Sequence, residues 1–186
     1  GLGGSGLWRG RGLCVLGERG GAVEVVDCMR GKDTVFACLG TTRKDAGSAR
    51  AFRHLDGDYN KTIAKAAKLA EVAHYSLVSS QGASSSSLFL YPQVKGEVEE
   101  AARALAFQRL SIFRPGLLGR GDRARFAEKI GAFFLGSMPV ERVATSMHVD
   151  AARFVSSARS DDASQKSEEI FSNSSIDALA SSDAKL

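Results

Sequence analysis

Two spacings of apolar residues alternate along the middle of the chain. One is the short run of β-branched or apolar residues, found at Val23–Asp27, Asp33–Leu39, Tyr75–Val78 and Leu110–Phe113. Such runs read as strands, and the near-continuous apolar character of Tyr75–Val78 suits an interior parallel strand covered on both faces. The other is the stripe at three- and four-residue intervals. Ile63, Ala66, Ala67 and Ala70 form one over Tyr59–Val72, with Lys61, Lys65 and Lys68 on the wet side. Val94, Val98, Ala101, Ala102 and Leu105 form a second, opened by Pro92, which suits the first turn of a helix. Phe126, Ile130, Phe133 and Phe134 form a third, on a helix that Asp122 caps and that runs to Leu135. Residues 44–57 read as a polar connection, Val143–Met147 as a short strand, and His148 as the start of a further helix. The alternation of strands and helices predicts an α/β fold: a mostly parallel sheet with helices on both faces.

The two ends lack this patterning. Residues 1–21 are rich in Gly and Arg. Gly1-Leu2-Gly3-Gly4-Ser5-Gly6 formally fits the dinucleotide-binding pattern G-x-G-x-x-G, but that device needs a strand before it and a helix after it. The segment therefore reads as a flexible lead. Leu13–Leu16, followed by Gly17, is a second candidate for a first strand and turn. From Ser156 the composition turns to Ser, Asp and Ala, and the segments at 168–171 and 176–179 read as a weak terminal helix or as part of a disordered tail. The expected division is a lead over 1–21, a domain over 22–158 and a tail over 159–186.

A chain of 186 residues with 44% hydrophobic and 25% charged residues is an ordinary single-domain composition. The net charge of +4 comes from scattered basic residues, so no nucleic-acid partner is expected. No apolar run approaches the ~18 residues of a membrane span, and the N-terminus lacks an apolar signal core. Peripheral membrane association and protein partners stay open. Cys14, Cys28 and Cys38 are odd in number and lack metal-ligand spacing, so no metal is expected. Cys38 is expected to be a buried small hydrophobe, and a reducing compartment is the simplest reading. The expected location is the cytoplasm, with the mitochondrial outer membrane surface as the alternative. The chain opens on Gly1, not Met, which reads as an excerpt, a processed form or an incomplete gene model.

The candidate chemistry lies between the third and fourth of these runs. Tyr91 and Lys95 are four residues apart at the start of a helix and so share a face. A free phenol ionises near pH ~10 and is a poor acid or base at neutrality, and an adjacent ammonium favours the phenolate. Ser79 and Ser80 follow a strand, and catalytic groups of parallel sheets sit at the carboxyl ends of strands. A serine hydroxyl, a phenol and an ammonium together can move a proton to or from a carbonyl or alcohol while a nicotinamide moves a hydride. The run Ser84–Ser87 reads as a mobile loop. His54, His74 and His148 have no partners at ligand spacing and read as structural.

Four blocks, in order, carry a resemblance: Cys38-Leu39-Gly40-Thr41-Thr42-Arg43, Leu77-Val78-Ser79-Ser80-Gln81-Gly82-Ala83, Phe89-Leu90-Tyr91-Pro92-Gln93-Val94-Lys95-Gly96-Glu97-Val98-Glu99 and Ile112-Phe113-Arg114-Pro115-Gly116. The segment from Ala37 to Arg142 resembles the atypical short-chain dehydrogenase/reductases, most closely the HIV-Tat-interactive-protein-type oxidoreductases and their fungal mitochondrial relatives. The resemblance implies a Rossmann-like domain that binds NADP or NAD and acts on a small-molecule substrate. It implies Ser80, Tyr91 and Lys95 as catalytic residues. It places Gly40, Thr41, Thr42, Arg114, Pro115 and Gly116 along the cofactor and Asp27 near its adenine. The family's first strand, Gly-rich turn, first helix and second strand are absent or replaced here, so the domain is expected to be N-terminally truncated with exposed strand edges, unless Leu13–Leu16 stands in for one of the strands. The rival expectation is a non-catalytic regulatory or protein-binding member of the same fold, with impaired or no cofactor binding. Substrate, cofactor choice and oligomeric state are not readable from the residues.

Overall fold

The structure, a computed structural model, describes residues 22–119, 137–157 and 166–182. Helix α1 (Ala22–Met29) leads into strand β1 (Thr34–Ala37). Two short helices, α2 (Arg43–Ala46) and α3 (Ala49–Phe52), precede a π-helical segment over Arg53–Asp58 that continues into α4 (Tyr59–Leu69). Then come β2 (His74–Val78), α5 (Leu90–Ala104), β3 (Arg109–Phe113), β4 (Leu117–Gly119) and β5 (Ser137–Pro139). Helix α6 (Val140–Ser157), strand β6 (Ser167–Phe171) and helix α7 (Asn173–Ser182) complete the order.

Strands β1, β2, β3 and β6 form one sheet in that spatial order, all parallel. The register aligns Thr34, His74, Arg109 and Ser167 at one rim, while Val78 faces Phe113 and Phe113 faces Phe171 at the other. Strands β4 and β5 form a separate parallel pair. Because strand side chains alternate between faces, Ala37, Tyr75, Leu77, Leu110 and Ile112 point to one side. There they join Met29 of α1, Ala64 and Ala67 of α4, and Val98 and Ala102 of α5 in one core. The opposite side holds Phe113 and Phe171 with Val143, Met147, Ile176 and Leu179 of α6 and α7. The expected α/β architecture, a mostly parallel Rossmann-like sheet with helices on both faces, is present.

Several elements differ from their expectation, each for a local reason. Val23–Asp27 is not a strand but the body of α1. Val25, Val26 and Met29 pack on the core as a helical face, and this packing overrides the β preference of valine. Gly31, at φ +68°, lets the chain leave α1, and the amide of Lys32 closes back on the Met29 carbonyl. Val143–Met147 lies inside α6, which begins at Val140 rather than His148; Val143, Ser146, Met147 and Asp150 form its buried stripe. Residues 44–57 are not a plain connection. Thr42 and Ser48 cap α2 and α3 through Asp45 N–H and Ala51 N–H, before the π-helical segment.

The segment at 168–171, expected as weak helix or tail, is β6, and 176–179 lies in α7. What reads as a tail thus supplies a strand of the main sheet. Cys38 is free but exposed rather than buried. The candidate strand at 13–16, the Gly-rich lead and the helix expected over 122–135 lie outside the described residues. Among the described residues no helix is long and apolar enough to cross a membrane.

At the rim where the strands begin, a buried polar cluster ties the sheet to α6. His74 Nε2 lies 3.0 Å from Ser111 Oγ and His74 Nδ1 lies 3.2 Å from Thr34 Oγ1. Arg109 donates to Asp150 Oδ1 at 2.7 Å and to Glu169 Oε2 at 2.6 Å. Burial alone would raise the Asp150 carboxyl, but hydrogen bonds from His74, Ser111 and Arg109 outweigh it and hold the group below the usual aspartate range.

Candidate functional site

The parallel register brings three chain turns to the same rim. The turn after β1 carries Gly40–Thr41–Thr42, the turn after β2 carries Ser79–Ser80, and the turn after β3 carries Arg114–Pro115–Gly116. Helix α5 brings Tyr91 and Lys95 on its first turns.

The two serines are in different states. Ser79 Oγ donates to Glu99 Oε1 at 2.5 Å, inside the protein. Glu99 also accepts from Arg114 Nε at 2.9 Å and Nη2 at 2.5 Å, and from Arg103 Nη2 at 3.3 Å. Ser80 is only 7% exposed and its hydroxyl has no partner among the described residues. A buried hydroxyl left unpaired is costly unless something enters to satisfy it. Ser80, not Ser79, is therefore the hydroxyl free to meet a ligand.

The turn after β3 is anchored from both sides. The Pro115 carbonyl accepts from Gln81 N–H at 2.9 Å, and Gly116 N–H donates to Asn173 Oδ1 at 2.8 Å. The expectation that Arg114 lines a cofactor meets a different arrangement. Its guanidinium is committed to Glu99, whose hydrogen bond and charge raise the arginine further above its ordinary value. Thr42 is likewise occupied, as the cap of α2.

Lys95 is 6% exposed. Its Nζ lies 2.9 Å from Asp56 Oδ1, an ion pair whose atoms are out of line for a hydrogen bond. Asp56 Oδ2 accepts from Thr41 N–H at 2.7 Å. Asn60 Nδ2 donates to the Asp56 carbonyl at 2.9 Å and to the Leu39 carbonyl at 3.3 Å. A Cβ on Gly40 would lie 3.4 Å from Asp56 Oδ1 and 3.6 Å from Lys95 Nζ, so the bare glycine faces the ion pair directly. Lys95 Nζ is also 5.9 Å from the Tyr91 ring centroid, within cation–π range, and that ring is 5.8 Å from the buried ring of Phe52. Tyr91 itself is exposed.

The structure thus joins Gly40, Thr41 and Lys95 through Asp56, tied by Asn60 to the end of β1, with Tyr91 beside Lys95; Asp56 and Asn60 are two residues that sequence reasoning passed over. A buried lysine needs a carboxylate partner, but the connection after β1 offers Asp45, Asp56 and Asp58, and only the fold selects Asp56. The selecting device is the π-helical segment, whose widened turn faces its buried side inward at Asp56 and Gly57. Asp27 is exposed on α1, paired with Arg30 at 3.1 Å, not at a strand end.

The serine run, expected as a loop, is tied to α5 by two hydrogen bonds. Ser84 N–H donates to the Pro92 carbonyl at 3.0 Å, and Ser85 Oγ bonds the Glu100 carboxylate. A shallow depression of about 360 Å³ lined by Glu141, Arg142, Thr145, Ala180 and Ser181 lies elsewhere, between α6 and α7.

No protein-family model matches the chain. Protein HTATIP2 of Rattus norvegicus is 47% identical over 117 residues, which is 62% of this chain and 48% of the relative. The mitochondrial protein fmp52 of Emericella nidulans is 46% identical over 104 residues, or 55% of this chain and 45% of the relative. The chain spans about half the length of the curated relatives it matches. Among solved structures, MoeE5 in complex with UDP-glucose and NAD superposes with a TM-score of 0.60 at 15% identity, over 83% of this chain and 61% of that one. UDP-N-acetylglucosamine 4-epimerase from Bacillus cereus gives 0.58 at 13% identity, over 85% of this chain and 66% of that one. These likenesses give the fold.

Proposed function

We propose that this chain, homologous over its middle to HTATIP2 and the fungal FMP52 proteins, is an NAD(P)-dependent oxidoreductase of the atypical short-chain dehydrogenase/reductase type. The observation that carries the reading is the Lys95 ammonium 5.9 Å from the Tyr91 ring centroid, supported by the buried Ser80 hydroxyl that has no partner among the described residues.

Ser80 donates a hydrogen bond to the substrate oxygen. Tyr91 gives a proton to that oxygen or takes one from it, and is exposed enough to exchange the proton with solvent. Lys95 holds positive charge beside the ring and offers its remaining N–H donors to a ribose. The described residues fit the ribose–nicotinamide end of a dinucleotide: Gly40 presents a bare Cα beside Lys95, and Pro115–Gly116 closes the rim next to Gln81. A bound nicotinamide supplies or accepts the hydride. Solved relatives of the fold carry NAD. Asp27 is left out of this reading because of its helical position.

The test is Tyr91→Phe. Turnover is expected to vanish while NADH or NADPH binding, followed by fluorescence, persists; unchanged turnover overturns the assignment. Saturating nucleotide at about 100 times its dissociation constant is expected to add ~2.7 kcal/mol of stability.

A second reading has its own observation. Leu88 and Phe89 are 99% and 77% exposed, immediately before Tyr91, and apolar side chains so presented suit a protein partner. A non-catalytic, protein-binding role is the outcome favoured if neither nucleotide shifts the melting temperature. For location, the mitochondrial alternative is the supported one, since the fungal relatives are named mitochondrial proteins; the cytoplasmic expectation finds no support in those names.

A further inference from the structure

Tyr91, Lys95 and Glu99 follow one another at four-residue steps along α5, so the phenol and the ammonium share their side of the helix with a carboxylate. Glu99 is fully buried, and a carboxylate taken out of water must be paired and hydrogen-bonded. Four donors meet it: Ser79 Oγ at 2.5 Å, Arg114 Nε at 2.9 Å and Nη2 at 2.5 Å, and Arg103 Nη2 at 3.3 Å. Arg103 continues to Glu168 Oε1 of β6 at 2.7 Å. One side chain thus fastens α5 to the ends of β2 and β3.

Ser80 lies between the two places that Glu99 holds. On one side is Ser79, bonded to Glu99 directly. On the other is Gln81, whose N–H donates to the Pro115 carbonyl at 2.9 Å, and Pro115 follows the arginine that Glu99 grips. The Ser80 side chain supplies no anchor of its own: its hydroxyl has no partner among the described residues, and only its carbonyl is bonded, by Ala83 N–H at 3.2 Å. The place of that hydroxyl relative to Tyr91 and Lys95 is therefore set by its neighbours, and both answer to a group on the helix that carries the phenol and the ammonium.

We propose that Glu99 is a positioning residue that clamps the Ser79–Gln81 turn from both sides and so fixes the Ser80 hydroxyl against Tyr91 and Lys95, a role that rests on the oxidoreductase reading. Reacting groups must be held to within about 0.5 Å of the productive geometry, and a hydroxyl at the tip of a strand end keeps that precision only if the turn beneath it is locked. Glu99 touches neither substrate nor nucleotide and acts through Ser79 and Arg114. Two ties give redundancy: Ser79→Ala leaves the route through Arg114, Pro115 and Gln81, whereas loss of the Glu99 charge weakens both.

The experiment compares the purified wild type with Glu99→Gln, which keeps the length of the side chain but not its charge, and with Arg114→Met, which cuts the Gln81 route alone. The first measurement is amide hydrogen exchange followed by NMR, which needs no nucleotide. In Glu99→Gln the Gln81 amide is expected to exchange at least about tenfold faster, while that of His74, which donates to the Asp33 carbonyl at the opposite rim, stays within about threefold of wild type. Equal acceleration at both amides marks Glu99 as structural only and overturns the proposal, as does no acceleration at Gln81. Arg114→Met is expected to accelerate Gln81 in the same selective way, and it decides the matter if Glu99→Gln does not fold.

The second measurement is steady-state turnover with NADH affinity. Glu99→Gln is expected to lower kcat at least about tenfold with KM and NADH affinity within about threefold, because the misplaced hydroxyl is needed in the transition state. Ser79→Ala is expected to lose far less. An unchanged kcat in folded Glu99→Gln, or a change in KM alone, overturns the proposal. If the wild type binds neither NADH nor NADPH, the oxidoreductase reading fails, and the exchange result alone decides whether Glu99 holds the Ser80 turn.

Discussion

Ser79 and Glu99 meet through a 2.5 Å hydrogen bond in the protein interior, whereas the hydroxyl of Ser80, one residue on, meets nothing among the described residues. Adjacent serines with the same burial therefore make opposite contributions. Ser79→Ala leaves Glu99 one donor short and is expected to cost about 1–3 kcal/mol of stability while activity falls little. Ser80→Ala removes a buried hydroxyl that has no partner, so stability is expected to be unchanged or slightly raised while turnover is lost. Urea unfolding and turnover assays on both variants check this pair of outcomes, and the reverse pattern would reassign the reactive hydroxyl to Ser79.

Gly96 is where the serine loop lies against α5. A Cβ built there would fall 2.1 Å from Ser85 N and 2.2 Å from Ser84 C, both backbone atoms that cannot rotate away. Gly96→Ala is expected to destabilise by about 1–3 kcal/mol, as overpacking does. Gly57→Ala is the control. Its Cβ would meet side chains alone, Val94 Cγ1 at 3.4 Å and Arg53 Cγ at 3.8 Å, and the helix preference of alanine is expected to leave stability within about 1 kcal/mol of wild type or above it. Thermal melts of the two variants separate the predictions.

Asp150 makes folding sensitive to acid. Its folded-state carboxyl sits below the ordinary aspartate range because His74, Ser111 and Arg109 hydrogen-bond it against the opposing effect of burial. A depressed carboxylate contributes stability that is present above the unfolded value of ~3.9 and is lost as pH falls through the lower folded value. Urea unfolding from pH 7 downward is expected to show this loss in the wild type and a shallower one in Asp150→Asn. At pH 7 the variant is expected to be less stable by roughly 1–3 kcal/mol, since the charge-assisted hydrogen bond from Arg109 is weakened while Arg109 keeps its pairing with Glu169.

Phe171, at the end of β6, stacks on Phe113 of β3 with ring centroids 4.4 Å apart. If residues 167–182 belong to the folded unit, Phe171→Ala is expected to cost about 3–5 kcal/mol, as for other buried aromatics. A cost below ~0.5 kcal/mol, the surface value, would return this segment to a tail.

The parts legible in the sequence were those where local spacing and tertiary packing agree. The runs at Tyr75–Val78 and Leu110–Phe113 and the stripes on α4 and α5 are buried as their periodicity requires. Reading failed where a β-branched run served a helix, as at Val25–Val26 in α1 and Val143 in α6, since burial of a face decides the element and not the residue type. It failed again at Ser167–Phe171, where four exposed residues precede a single buried one and give an edge strand no apolar signal. In the candidate site, the closeness of Tyr91 and Lys95 was legible because residues four apart share a helix face. Asp56 was not, because its role depends on one irregular helical turn and a contact across 39 positions to Lys95.

That irregular turn makes the protein sensitive to length where it is tolerant of identity. Between Arg53 and Asp58 the chain carries one residue more than a regular helix would use. Deleting a single residue there would let α3 and α4 fuse into an uninterrupted helix and swing everything before the cut by about 100° around its axis. The segment can therefore drift in sequence at its outward positions, yet an insertion or deletion of one would uncouple the turn after β1 from α5 in a single step.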